Sequence, residues 1–334
     1  MSANDDAPSS ALDREVEDLT ARYGFSRDAR VSLLSESENR VYRVREPARA
    51  EDYVVRVNSG RLGYHTPPAI ASELTWMMAL RRDTDIVVPE VLAAEDGTLV
   101  QSLAGPGLDR PRHAAVYSFL SGSEPPEDRL APGFERLGEI SARMHRHAQG
   151  WTPPDAFTRC SWTPETILDD RLNWGPWQAG RDVEGEALDL LSRVDRTLRD
   201  RLAALPTDRA HFGLIHADLR LANLLVDGER TAIIDFDDCG FGWYLFDLAA
   251  ALSFLEERPD APELIDRWLK GYRTVADVPA AVEREIPSLV MLRRLQLIGW
   301  VGYQQHRIAF AREIGPRFTA ESCRLAEDYL GRFG

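Results

Sequence analysis

The chain has 334 residues, of which 44% are hydrophobic and 28% charged, a composition typical of globular proteins and sufficient to bury a large core. Its formal charge of −14 disfavours a nucleic-acid partner, because a duplex-binding surface is usually strongly basic. The longest hydrophobic run, residues 243–255, is too short to span a membrane and contains Asp247, and the N-terminus lacks the pattern of a secretory signal. We therefore expect a soluble, cytoplasmic protein with neither a membrane nor a nucleic-acid partner.

The first third of the chain has the pattern of an antiparallel sheet. Residues 1–10 are predicted to form a disordered tail, and residues 11–23 to form a helix. Short runs rich in β-branched residues predict strands, and the prolines after Thr66 predict the start of one principal helix that ends near Arg82. The predicted strands cover 31–34, 40–45, 53–58, 90–94, 98–102 and 114–119. We interpret residues 11–120 as an N-terminal lobe.

After a turn-rich connector at 121–126, apolar residues recur at helical spacing, which predicts a mostly helical lobe over 121–334. Strand-like runs at 211–215, 224–226 and 231–234 interrupt it and surround polar loops. One predicted helix carries the apolar stripe of Phe134, Leu137, Ile140 and Met144. The other predicted helices cover 164–173, 184–204, 244–257, 261–273 and 281–311. The expected fold class is α+β with two lobes.

The segment 214–238, LIHADLRLANLLVDGERTAIIDFDD, carries the strongest functional signal. Asp218 and Asn223 lie five positions apart in a loop, and Asp235 follows the hydrophobic strand. Oxygen ligands of this kind suit magnesium, which phosphoryl transfer requires to neutralise the phosphates while a further carboxylate orients the attacking hydroxyl. A single aspartate of this type is usually a turn residue or a helix cap, but the ordered set favours a catalytic site.

Two short motifs in this segment resemble those of a known family. Residues 216–223, HADLRLAN, match the pattern H-x-D-L-K/R-x-x-N, and residues 234–237, IDFD, match the metal-binding pattern I-D-F/W-x. The chain thus resembles the aminoglycoside phosphotransferase and choline kinase group of the protein-kinase-like superfamily. The resemblance implies a two-lobed α+β fold that binds ATP and Mg²⁺ between its lobes.

The resemblance also implies a role for each matching residue. It makes Asp218 the catalytic base, and it makes Asn223 and Asp235 the ligands of magnesium. Asp237 would assist a second ion. Arg220 stands where protein kinases carry a lysine directed at the transferred phosphate.

Other residues near the motifs are predicted to be structural. Asp247 resembles the helix aspartate that braces the catalytic loop through hydrogen bonds in this superfamily. His145 and His147 are two positions apart on a helix and so face different ways, which disfavours a zinc site and predicts solvated or capping roles. Cys239 is expected to pack in the core rather than act as a nucleophile. Core packing is also expected of Trp162, Trp174, Trp177 and Trp243.

The strand over 53–58 supports the same interpretation independently. Side chains alternate along a strand, so Val54 and Arg56 share one face. Arg56 sits where the family carries its phosphate-anchoring lysine, and Val54 would line the nucleotide pocket. On the following helix Glu73 falls on an apolar stripe, where a carboxylate needs a partner, and Arg56 is the natural one.

Two further segments are assigned to the nucleotide by their position in the chain. The loop 35–39 takes the place of a phosphate-covering glycine-rich loop but has no glycine, so Ser37 and Asn39 are the candidate donors. Ser118, Phe119 and Leu120 precede the connector and resemble the hinge whose backbone pairs with adenine.

Our leading hypothesis is ATP- and magnesium-dependent transfer of the γ-phosphate to a hydroxyl of a small molecule: an amino alcohol, amino acid, sugar, nucleoside or antibiotic. One alternative is a bacterial protein Ser/Thr kinase of the stress-response type, which the lack of a recognisable activation segment in the 11 residues between Asp235 and Asp247 disfavours. A second alternative is a non-catalytic nucleotide-binding module, which Arg56 and the glycine-free loop motivate.

The acceptor pocket is expected to come from residues 155–180 and from helices after 260, with Asp238, Tyr303 and Gln304 as candidate contacts. The acidic balance favours a cationic acceptor. The sequence makes no prediction of the oligomeric state.

Overall fold

A computed structural model describes residues 10–49, 51–126 and 130–334. The helices are α1 Ala11–Thr20, α2 Pro67–Asp83, α3 Leu130–Gly150, α4 Pro164–Ile167, α5 Gly185–Leu202, α6 Phe246–Ala251, α7 Ala261–Arg273, α8 Ala280–Glu283, α9 Ile286–Gln304 and α10 Ala309–Phe333. The strands are β1 Arg30–Glu36, β2 Arg40–Glu46, β3 Glu51–Asn58, β4 Val91–Leu92, β5 Gln101–Leu103, β6 Arg112–Ser118, β7 Ser161–Trp162, β8 Phe212–Ile215, β9 Leu224–Asp227, β10 Arg230–Ile233 and β11 Gly240–Trp243. The predicted tail lies outside the described residues except for Ser10, which caps α1.

The chain divides into two compact units. The first contains the described residues up to Ala79 together with Pro89–Leu120, and the second contains Leu80–Val88 and the described residues from Ser121 onward. Among the described residues, no helix is both long enough and apolar enough to cross a bilayer.

The first unit is built on an antiparallel sheet with the strand order β1-β2-β3-β6-β4, and β5 also pairs with β6. The apolar face of α1, including Val16 and Leu19, packs in the same core as Val55 and Val57 of β3. Alternation along β3 therefore turns Arg56 to the opposite face, as the sequence predicts. That face carries α2, because Arg56 bonds to a residue of this helix.

The second unit is mainly helical, and two glycines allow its closest helix pair. A Cβ on Gly138 of α3 would lie 1.9 Å from the carbonyl oxygen of Trp268 in α7, and one on Gly271 would lie 1.8 Å from that of Glu135. Only glycine permits this approach of the two backbones. The predicted apolar stripe of α3 is buried here, and α9 is buried along most of its length.

Two small sheets carry the loops of this unit. Strands β9 and β10 form a hairpin, and β11 lies between β8, its antiparallel neighbour, and β7, its parallel neighbour. The sequence did not predict β7 and β11, because β7 is only two residues long and β11, GFGW, contains two glycines and no β-branched residue.

Several predicted helices are too long. The range 281–311 is not one helix but contains the end of α8, the whole of α9 and the start of α10. Pro287 lies in the first turn of α9, where its missing N–H is tolerated, and this favours a new helix start there. The helix α10 then extends almost to the C-terminus. The helix predicted over 164–173 ends at Ile167, since Asp170 and Asn173 both have positive φ and cannot continue it. The helix predicted over 244–257 covers only Phe246–Ala251.

Candidate active site

The loop after β8 holds the HADLRLAN motif in an uncommon backbone conformation. Ala217 has φ of 65°, a left-handed value that residues with a side chain seldom adopt. Asp247 of α6 stabilises it: one carboxylate oxygen accepts the N–H of Ala217 at 2.7 Å and the other accepts the N–H of His216 at 3.2 Å. Both hydrogen bonds are buried. The brace predicted for Asp247 is therefore present.

A histidine completes the brace from a distant helix. His145 Nε2 lies 2.8 Å from Asp247 Oδ2, and its Nδ1 lies 3.2 Å from the hydroxyl of Tyr272. Since the carboxylate only accepts, Nε2 carries the proton. The prediction of a solvated or capping role for His145 is wrong, because the residue is fully buried; His147, on another face, lies 3.2 Å from the carboxylate of Asp83.

Asp218 is held from three sides. Oδ1 accepts from Arg293 Nη2 at 2.7 Å and from Arg220 Nε at 3.2 Å, and Oδ2 accepts from Asn223 Nδ2 at 3.1 Å. Burial by itself would raise the pKa of Asp218, but the charges of Arg220 and Arg293 outweigh it and hold the pKa below its usual range. The carboxylate is therefore ionised, with a fixed orientation.

Arg293 lies outside both motifs and was not predicted from the sequence. It lies on α9, 75 positions from Asp218, and no short motif connects the two. The available signal was the pair Arg293 and Arg294 inside the apolar run of α9, since two arginines are buried in a core only when they have partners.

Asn223 and Asp235 meet at one end of the β9–β10 hairpin. Asn223 precedes β9 and Asp235 follows β10, and the N–H of Ile234 donates to the backbone carbonyl of Asn223 at 3.0 Å. Asp235 is exposed with φ of 64°, whereas Asp237 is buried. The hairpin thus brings the backbones of Asn223 and Asp235 close together.

The donor set fits a hard cation such as Mg²⁺. The amide nitrogen of Asn223 donates to the backbone carbonyl of Asp218 at 2.8 Å as well as to its carboxylate, so the amide oxygen turns away from Asp218. Amide and carboxylate oxygens are the ligands that Mg²⁺ prefers. Within the described ranges, no three carboxylate, imidazole or thiolate side chains form a ready metal cluster, so the fit depends on Asn223 together with Asp235 and Asp237.

Buried donors hold the backbone of the IDFD loop. Arg159 donates to the carbonyl oxygens of Asp237 and Cys239, both at 2.5 Å, and the indole N–H of Trp162 donates to that of Asp238 at 2.8 Å. Three consecutive carbonyls are thus fixed by the segment around β7. The role of Arg159 was not predictable from the sequence, because no local pattern marks an arginine that binds backbone carbonyls.

In the first unit, Arg56 and Glu73 form the predicted pair. The guanidinium and the carboxylate make two parallel hydrogen bonds of 2.7 Å, and both side chains are buried. This bidentate geometry is the strongest that a carboxylate forms with a cationic side chain.

The other predicted nucleotide contacts of this unit differ in their surroundings. Ser37 is exposed in the turn between β1 and β2, while the buried Asn39 accepts the N–H of Ser59 at 3.2 Å. The N–H groups of Ser118 and Phe119 donate within the unit, to the carbonyls of residues 90 and 52. Leu120 and Val54 are half-buried.

The candidate acceptor contacts are spread over the second unit. Tyr303 is exposed, Gln304 is fully buried and Asp238 is half-buried. Within the part of the chain that the structure describes, the side chain of Asp218 bonds to Arg293, Arg220 and Asn223 and to none of these three candidate contacts. Core packing is confirmed for Cys239 and for the four tryptophans Trp162, Trp174, Trp177 and Trp243, which are buried.

Comparisons with known proteins show the family to which the chain is similar. The sequence model of the phosphotransferase enzyme family matches residues 30–283. The structure of a microcompartment-associated aminopropanol kinase is similar to this chain with a TM-score of 0.86 and 40% identity, over 96% of this chain and 98% of that one. Amicoumacin kinase of Bacillus subtilis (strain 168) is 26% identical over 297 residues, which cover 84% of this chain and 82% of the relative.

More distant structures share the fold. An amicoumacin kinase in complex with AMP-PNP, Ca²⁺ and Ami has a TM-score of 0.76 at 22% identity, over 93% of each chain. The α+β protein-kinase-like fold and the phosphotransferase activity predicted from the sequence are confirmed. The chain belongs to the phosphotransferase enzyme family, and its motifs and their bracing hydrogen bonds lie in the part that the family model matches.

Proposed function

We propose that this protein transfers the γ-phosphate of ATP to a hydroxyl group of a small amino alcohol in a magnesium-dependent reaction. The observation that carries the proposal is the ionised Asp218, fixed by Arg293, Arg220 and Asn223 within a braced loop. A positioned carboxylate of this kind orients an attacking hydroxyl and accepts its proton.

The proposed reaction is an in-line displacement at the γ-phosphorus. The bond from the acceptor oxygen to phosphorus forms as the bond from phosphorus to the β,γ-bridging oxygen breaks, and ADP leaves. The hydroxyl proton passes to the carboxylate of Asp218. Asp218 thereby aligns a lone pair of the acceptor oxygen with the phosphorus. This alignment contributes more to the rate of phosphoryl transfer than a strongly basic carboxylate would.

We assign different tasks to the two arginines that contact Asp218. Arg220 makes the longer contacts, 3.2 and 3.5 Å, and its side chain is 32% exposed, whereas Arg293 bonds at 2.7 Å and is 2% exposed. Arg220 can therefore leave Asp218 and pair with the transferred phosphate, which attracts it more strongly because it carries more charge. Arg293 stays in place.

Asn223 and Asp235 are the proposed ligands of magnesium, with Asp237 assisting. When bound, the ion supplies the positive charge that neutralises the phosphate oxygens. The contribution of the chain is to fix the loop that carries these oxygens, through the bonds from Arg159 and Trp162 to its carbonyls.

Arg159→Met is expected to lower kcat about tenfold and to raise the magnesium concentration needed for half-maximal activity, because buried carbonyls without donors cost about 1–3 kcal/mol and loosen the loop. A magnesium titration of initial rates measures both effects. Arg209→Met is the matched control, since Arg209 also donates to a backbone carbonyl but lies on the surface. Equal magnesium dependence in both variants would contradict the role of Arg159 in fixing the loop of the proposed magnesium ligands.

For the nucleotide we propose that the Arg56 and Glu73 pair anchors the phosphates and that Val54 lines the adenine pocket. Ser37 is the proposed donor in the covering loop, with Asn39 shaping that loop through its bond to Ser59. The N–H of Leu120 is the proposed adenine contact.

Arg56→Lys is expected to raise KM for ATP about tenfold, with a smaller change in kcat. Lysine keeps the charge but loses one of the two bonds to Glu73, and a charge-assisted hydrogen bond contributes about 1.5 kcal/mol. Steady-state kinetics with varied ATP measures the change. Arg112→Lys is the control: Arg112 is the first residue of β6 and pairs with the exposed Asp109, so its substitution is expected to leave KM unchanged.

The proposed acceptor class follows from the comparison with the aminopropanol kinase, which extends over nearly the whole of both chains at 40% identity. The net charge of −14 is consistent with it, since an acidic protein attracts cationic molecules such as an amino alcohol.

The test is transfer of labelled γ-phosphate from ATP and magnesium to aminopropanol and to pools of other amino alcohols, sugars, amino acids and aminoglycosides. We expect label on aminopropanol or a related amino alcohol, and none with Asp218→Asn. Label confined to a sugar or antibiotic pool would refute the proposed acceptor class, and label confined to protein would refute a small-molecule acceptor.

A further inference from the structure

We propose that Arg293 is a positioning residue for phosphotransfer, which holds the Asp218 carboxylate in its reactive orientation from a helix outside the catalytic motifs. The inference rests on the proposed function of Asp218. It adds α9 to the parts of the chain that determine the rate.

Arg293 is fixed on every side that its guanidinium offers. Nε donates to the hydroxyl of Ser253 at 3.0 Å, Nη1 donates to the side-chain oxygen of Gln296 at 3.1 Å, and Nη2 donates to Asp218 at 2.7 Å. The ring of Trp174 lies 5.3 Å from its central carbon. Ser253, Gln296 and Trp174 are neutral, so among the described residues Asp218 is the one carboxylate that hydrogen-bonds Arg293. The charge of Arg293 also acts on the carboxyl of Glu256, whose pKa burial raises and this charge helps to lower.

This arrangement becomes important when Arg220 moves to the transferred phosphate. Asp218 then keeps Arg293 on Oδ1 and Asn223 on Oδ2. Each carboxylate oxygen retains one lone-pair direction for the acceptor hydroxyl, and the plane of the carboxylate cannot rotate. Without Arg293, only the amide of Asn223 would determine this plane, and a displacement of about 1 Å costs about a hundredfold in rate.

Arg294 offers a matched control at the next position. It has the same 2% exposure and binds Glu256 at 2.8 Å and Ser322 at 2.7 Å, and none of its hydrogen bonds goes to Asp218. If a buried arginine on α9 had only a structural role, replacing either Arg293 or Arg294 would lower kcat to a similar extent.

The experiment compares Arg293→Met with Arg294→Met in the full-length protein, using kcat, KM for ATP, thermal unfolding and ATP affinity. We expect Arg293→Met to lower kcat about a hundredfold with KM for ATP changed less than about twofold, and Arg294→Met to keep kcat within about threefold. If Arg293 acts through Asp218, adding Arg293→Met to Asp218→Asn should change the residual rate by less than about twofold.

Equal kcat values for Arg293→Met and Arg294→Met would overturn the inference, and so would a full further loss in the double variant. Should either methionine variant fail to fold, Arg293→Lys and Arg294→Lys replace them in the comparison. We then expect the kcat of Arg293→Lys to be at least about tenfold lower than that of Arg294→Lys. Equal kcat values of the two lysine variants would overturn the inference. Failure of the proposed function is distinguishable, because Asp218→Asn would then retain its turnover.

Discussion

Asp218→Asn is expected to lower kcat by about a thousandfold while ATP affinity stays within about threefold of the unchanged protein. Asparagine has the size of aspartate, but its amide cannot accept the hydroxyl proton. It also places an N–H₂ group opposite either Arg293 or Asn223, both of which donate to the carboxylate. Kinetics at saturating ATP and calorimetric titration with a non-hydrolysable ATP analogue measure the two quantities separately.

The control for this variant is Asp227→Asn. Asp227 is an exposed aspartate at the end of β9, where it accepts a hydrogen bond from Ser121 at 2.7 Å. It is expected to keep kcat within about twofold, as surface substitutions usually do. Turnover of Asp218→Asn near that of Asp227→Asn would remove Asp218 as the group that accepts the proton.

Asp247→Ala is expected to destabilise the second unit and to impair catalysis together. The substitution removes the acceptor of three buried donors: His145 Nε2 and the N–H groups of His216 and Ala217. Breaking a buried network of this type costs about 3–5 kcal/mol of the free energy of unfolding. Ala217 then has no bond to hold its positive φ, so Asp218 loses its position and kcat falls about a hundredfold.

Thermal unfolding and kcat, measured on the same preparations, test this expectation. Asp247→Asn is the graded comparison, because its amide oxygen can still accept the N–H of Ala217. We expect it to recover part of both losses. A variant Asp247→Ala with unchanged melting temperature and turnover would show that the loop holds its conformation without the brace.

The local part of the site was predictable from the sequence, because its residues lie within a few positions of one another. The patterns HADLRLAN and IDFD place Asp218 and Asn223 in the loop after a strand and Asp235 at the end of a hairpin. The Arg56 and Glu73 pair was predictable for a similar reason, since helical spacing puts Glu73 on an apolar stripe, where it needs a partner, and strand alternation puts Arg56 on the same face as Val54.

The residues that hold this site in place were not predictable from local patterns. Arg293, Arg159 and His145 act across 75, 78 and 102 positions of sequence, and neither spacing nor composition states where such side chains meet. The tertiary fold decided those contacts, as it decided that α9 and α10 are separate helices. The sequence by itself determined the candidate catalytic groups and the chemistry proposed for them, because these depend on residue type and short spacing. Only the tertiary structure decided their orientation, because packing of distant helices selects which buried charges become partners.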